Sequence, residues 1–171
     1  MNKRMTLVAA ALLGLAATTQ VSAQTCSTAP SCSVNNTASV TVPTLMQLTL
    51  SSTTTALTVP AVANFDGAAV ADNGPTATVK ANKGWNLTIA SSANVWTAAG
   101  GANAAKASTD LAWSTAANGT FAGLSTTPAT VLTSGTGSST SQSIFYQTSW
   151  HSAGDTPGTY SLTVVYTLNA P

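Results

Sequence analysis

The side chains able to do chemistry are few in this 171-residue chain. His151 is the single histidine, Asp66, Asp72, Asp110 and Asp155 are the only acids, and Cys26 and Cys32 are the only cysteines. A hydrolytic relay needs a base beside a hydroxyl nucleophile and a carboxylate to orient that base. His151, Ser152 and Asp155 come together only within one turn-like stretch, and no G-x-S-x-G motif is present. Glycoside hydrolysis by paired carboxylates would have to draw on four aspartates, all beside turns, where Asp serves the backbone. Asp66, Asp72 and Asn73 offer oxygens to a hard cation, but not at the spacing of a calcium loop. Two cysteines and one distant histidine fall short of a zinc set. No glycine-rich phosphate loop links a strand to a helix. The expectation is a protein with no catalytic site, no cofactor and no metal.

The elements around these residues belong to an exported chain. Lys3 and Arg4 precede an apolar run over residues 6–17, and Val21-Ser22-Ala23 is a small-x-small cleavage site. Residues 1–23 therefore read as a cleaved signal, residues 24–37 as a disulfide-tied N-terminal segment, and residues 38–171 as one domain. The compartment after export is a periplasm, a cell surface or the medium. In such a compartment Cys26 and Cys32 are expected to form a local disulfide, with an interchain crosslink or two thiols as alternatives. No later run is apolar enough for a transmembrane helix.

Charge narrows the partners. Loss of Lys3 and Arg4 takes the formal charge from +1 to −1 (+1 − 2 = −1), leaving Lys80, Lys83 and Lys106 as the only bases. Three scattered lysines make neither a nucleic-acid footprint nor a polybasic membrane patch. Solubility rests on Thr, Ser and Asn, and low charge favours self-association.

The pattern that positions these residues is period two. In the last stretch, residues 156–171, Tyr160, Leu162, Val164, Tyr166 and Leu168 alternate with mostly polar residues after the turn pair Pro157-Gly158. Residues 38–50 read as a long strand carrying Val40, Val42, Met46, Leu48 and Leu50 on one face, with Pro43 marking it as an edge. Leu57, Val59 and Ala61 suggest a short strand, and residues 64–75 a loop. Residues 77–91 read as a hairpin turning at Asn82-Lys83-Gly84. Asn118-Gly119 predicts a second hairpin with Trp113 opposite Leu124. Further strands are expected over residues 95–98, 130–133 and 143–150. With no helical periodicity, the expectation is an all-β, antiparallel immunoglobulin-like sandwich of about 8–10 short strands.

Four tryptophans stand out in this setting. Trp85 and Trp113 are in phase with inward positions and are expected in the core. Trp96 and Trp150 lie near strand ends, where they either cap the sandwich or stack on a sugar or partner. Tyr160, two residues after Pro157-Gly158, suggests a corner tyrosine whose hydroxyl reaches backbone.

Two resemblances follow from these residues. Gly84-Trp85-Asn86-Leu87-Thr88 resembles the first Trp-x-Leu motif of WxL cell-surface domains. The tail from Gly158 to Pro171 resembles the strand bearing their second motif, with Tyr166-Thr167-Leu168 where Trp-x-Leu would stand. That resemblance implies a surface protein in which Trp85 and Leu87 contribute to binding cell-wall glycan or another surface protein. The same tail also resembles the last strand of spore-coat-U/Csu-type pilins, which reads Pro-x-Gly-x-Tyr before alternating Thr and Val. That one implies a fibre subunit completed by a strand from its neighbour. The expected function is an exported, non-enzymatic structural or adhesive surface protein. The alternatives are a fibre subunit assembling by strand donation and a carbohydrate-binding module using Trp96 or Trp150.

Overall fold

The computed structural model describes residues 25, 27 and 31–170. The expected signal, residues 1–23, and Cys26 lie outside the described residues, and the Cys26–Cys32 pairing lies outside with them. The chain divides into two units, Met1–Thr41 and Val42–Pro171. In the first, the described residues form no helix or strand and are exposed.

The second unit is all-β and antiparallel, with two sheets packed as a sandwich. Ten strands occur in chain order: β1 (Met46–Leu50), β2 (Val70–Ala81), β3 (Trp85–Ser91), β4 (Thr97–Ala99), β5 (Leu111–Ser114), β6 (Ala122–Gly123), β7 (Ala129–Ser134), β8 (Ser138–Thr148), β9 (Thr159–Ser161) and β10 (Val164–Asn169). One sheet has the order β1-β2-β8-β5-β6, the other β10-β3-β7, and β4 and β9 form a small pair. Ala77, Val79, Ile144 and Tyr146 from the first sheet and Trp85, Leu87 and Ile89 from the second are buried. Each large apolar side chain so buried contributes about 1.5–3 kcal/mol.

Several expected elements are corrected. The strand expected over residues 38–50 is regular only over Met46–Leu50. Pro43 lacks an N–H, and Asn82 holds the chain just ahead of β1. Its side-chain amide donates to the Pro43 carbonyl at 2.8 Å, and its side-chain oxygen accepts the Leu45 N–H at 2.8 Å. Residues 77–91 are not a hairpin, because β2 and β3 lie in different sheets. Both strands turn apolar residues to the core, which a crossing between sheets satisfies as well as a hairpin does. Asp72-Asn73-Gly74 is not a loop but an irregularity within β2, whose pairing with β8 shifts between Asn73 and Thr76. No strand forms around Leu57 and Val59, and a 3-10 turn, Val62–Asn64, follows. At the second hairpin Trp113 faces Ala122 rather than Leu124, an offset of two residues that leaves side-chain facing intact. The tail is two strands: β9 joins β4, whereas β10 joins β3.

Candidate functional site

The sandwich is open along one side. There β1 is the edge of one sheet and β10 the edge of the other. The large apolar inward residues of the interior strands are buried, yet those of these two edges are not. Met46, Leu48 and Leu50 on β1 and Val164, Tyr166 and Leu168 on β10 are only half-buried. Their alternation with exposed neighbours is regular, so they face inward; what is missing is a layer over them. Leu162 and Tyr160 continue the same half-buried row.

A groove of about 630 Å³ occupies part of this side. Leu50 and residues 52–60 form one wall, Gly158 to Val164 with Tyr166 form the other, and Trp96, Leu111 and Tyr146 reach its floor. Its lining mixes apolar side chains with serine and threonine residues of both walls, and a tyrosine pair meets at its floor. The Tyr146 and Tyr166 hydroxyls hydrogen-bond each other at 2.7 Å. Burial pushes both phenols above their ordinary range, and in Tyr166 the neighbouring Tyr146 adds to the effect.

An aromatic cluster closes the Trp150 end. Tyr160 stands edge-on to Trp150, ring centroids 5.6 Å apart, and edge-on to Trp96 at 6.5 Å. Phe65 tilts against Trp150 at 6.2 Å. The Tyr160 hydroxyl accepts the Asn103 N–H at 3.0 Å and donates to the Thr156 carbonyl at 2.8 Å. It pins the turn that carries Pro157-Gly158, as its position after that pair suggests. Beside the cluster lies Lys106, whose side chain is wholly buried between Asp155 at 2.7 Å and Asp110 at 3.2 Å. Nothing in the sequence marks that network, because its members are 4 and 49 residues apart.

The candidate binding residues are scattered. Trp85 is buried at 1% exposure and donates its indole N–H to Ser138 Oγ at 3.1 Å. Leu87 beside it is fully buried and Trp113 lies in the core, so none of the three presents a face to solvent. Trp96 is buried too, and its N–H is given to the Ala107 carbonyl at 2.9 Å. Trp150 is half-buried and lines the groove; its buried indole N–H has no partner among the described residues. Trp96, Trp150, Tyr160 and Tyr166 are thus brought to one groove, whereas Trp85, Leu87 and Trp113 are not.

The residues considered for chemistry are engaged otherwise. Ser152 gives its hydroxyl and N–H to the Asp66 carboxylate, and these bonds hold Asp66 below the usual carboxylate range, with nearby His151 helping. His151 lies 3.9 Å from Asp66 and 3.6 Å from Asp110, at an exposed rim, with no hydroxyl bonded to its ring. Asp72 accepts the Thr58 N–H and hydroxyl. Among the described residues no group of three or more His, Cys, Asp or Glu is placed to hold a metal ion. Nor is any described helix long and apolar enough to cross a membrane. No protein-family model, curated protein or solved structure matches the chain.

Proposed function

We propose that this chain is an exported, non-enzymatic structural protein of the cell surface, and specifically a fibre subunit that assembles by β-strand donation. A segment around residues 33–42 of one copy lies in the groove of the next and adds to the free edge of β10.

The observation that carries this reading is the half-buried inward face of both edge strands on one side of the sandwich. A sheet edge offers a row of unpaired N–H and C=O groups, and an extended segment satisfies them while its alternate side chains fill the pockets below. The chain holds a segment of suitable kind. Val34, Val40 and Val42 are 54%, 87% and 68% exposed, and together with Ala38 they share one parity. Each valine buried in a partner contributes about 1.5–3 kcal/mol before the costs of association. The near absence of charge leaves little repulsion between copies.

Complementation tests the reading. One variant carries a damaged donor, Val40→Asp, and a second carries a damaged groove, Leu162→Asp. Neither should assemble alone, and a mixture should form a one-to-one complex through the intact donor of the second and the intact groove of the first. A mixture that stays monomeric, while the unaltered chain assembles, would remove strand donation as the mode of assembly.

A further inference from the structure

The Lys106 network has no part in strand donation. A lysine fully withdrawn from water costs several kcal/mol unless its charge is compensated or removed. Here the side chain has no exposure, and Asp155 beside it has 4%. Lys106 Nζ touches Asp155 Oδ2 at 2.7 Å, Asp110 Oδ2 at 3.2 Å and the Ser149 carbonyl at 2.8 Å. The Trp150 ring lies 4.4 Å from the nitrogen and the Tyr160 ring 5.9 Å, walling it from water. Both reacting groups sit on braced turns. The Asp155 N–H is bonded to the His151 carbonyl at 2.8 Å, and the Lys106 carbonyl accepts the Trp96 N–H at 2.9 Å.

These are the parts of an amide-forming site: an amine against a carboxyl group, a second carboxylate on the same nitrogen, and a dry enclosure. We propose that Lys106 and Asp155 condense into an intramolecular amide, with Asp110 carrying the protons. Asp110 relays a first proton from the Lys106 ammonium to Asp155 Oδ1, and the neutral amine then attacks Asp155 Cγ and forms the new N–C bond. Asp155 Oδ2 remains as the carbonyl oxygen, polarised by the His151 N–H at 2.8 Å. The bond from Cγ to Oδ1 breaks. Asp110 then takes the second proton from the nitrogen and passes it to the same oxygen, which leaves as water. Ammonium and carboxylate thus become amide and water, Asp110 is unchanged, and no oxidant or reductant is needed. Fixed contact replaces a bimolecular encounter, which supplies much of the barrier lowering in such reactions. The product also removes two buried charges, while its N–H keeps Asp110 or Ser149 as an acceptor. The link joins the turn before β5 to the turn before β9, on either side of the aromatic cluster.

Peptide mapping of the denatured, reduced mature protein decides the matter. With the amide in place trypsin fails to cut after Lys106. The peptide that begins at Gly84 and contains both Lys106 and Asp155 is then recovered whole and lighter than its sequence by one water. Asp155→Ala restores both the cut and the full mass, and it shares the N-terminus, so changes there do not confuse the comparison. Asp110→Asn leaves Lys106 and Asp155 present but abolishes the link; an undiminished link in that variant would overturn the role of Asp110. Complete cutting after Lys106 in the unaltered protein, with both fragments at full mass, would overturn the proposal. None of these readouts depends on assembly.

Discussion

Tyr146 on β8 and Tyr166 on β10 belong to opposite sheets, yet their hydroxyls meet at 2.7 Å at the floor of the groove. The contact ties the two sheets on the side where strands are lacking. It also fixes a pH dependence. Burial raises both phenols in the folded protein, so the native state holds its protons where the unfolded chain, at about pH 10, begins to lose them. Stability from this pair is complete below pH 10 and declines as pH rises past it. Urea unfolding at pH 8 and pH 10.5 should show a drop that Tyr166→Phe makes shallower. An equal drop in the variant would deny the pair its role.

Val40 is 87% exposed, so Val40→Asp should change the stability of the isolated subunit by no more than about 0.5 kcal/mol. Its assembly should nevertheless be lost. Denaturant unfolding at low concentration and light scattering at high concentration separate the two effects.

Trp85 behaves oppositely. Its ring is buried and its indole N–H is bonded to Ser138, so Trp85→Ala should cost about 3–5 kcal/mol. Binding of the protein to isolated cell wall, if measured alongside, should fall only in step with folding.

Gly74 lies beneath the Tyr146 ring, where an added Cβ would come within 2.8 Å of a ring carbon. Gly74→Ala should push that ring from its place and cost about 1–3 kcal/mol, readable as a lower melting temperature. The Tyr146–Tyr166 bond would loosen with it, and the alkaline drop in stability should flatten.

Much of the fold is legible along single strands and little of it between them. The alternation from Tyr160 to Leu168 states which side chains point inward, and the structure agrees residue by residue. It does not state that β9 and β10 pair with different partners, because sheet membership depends on residues far away in sequence. Residues 77–91 show the same limit: two alternating runs around Asn82-Lys83-Gly84 fit a hairpin and a crossing between sheets equally well. Asp72-Asn73-Gly74 has turn chemistry, yet tertiary pairing with β8 on one side and Thr58 on the other keeps it in a strand. At the groove, Tyr160 and Tyr166 stand out as inward aromatics. Tyr146 stands out only as one member of an alternating run, and the half-burial that marks the open side exists only once both sheets are assembled.

Under strand donation, the open side of one copy is covered by the N-terminal segment of another. Sedimentation velocity of the mature protein over a hundredfold range of concentration tests it most directly. Strand donation gives species larger than a monomer that grow with concentration and vanish in Val40→Asp. A single monomeric species at every concentration, with a melting temperature independent of concentration, would contradict it.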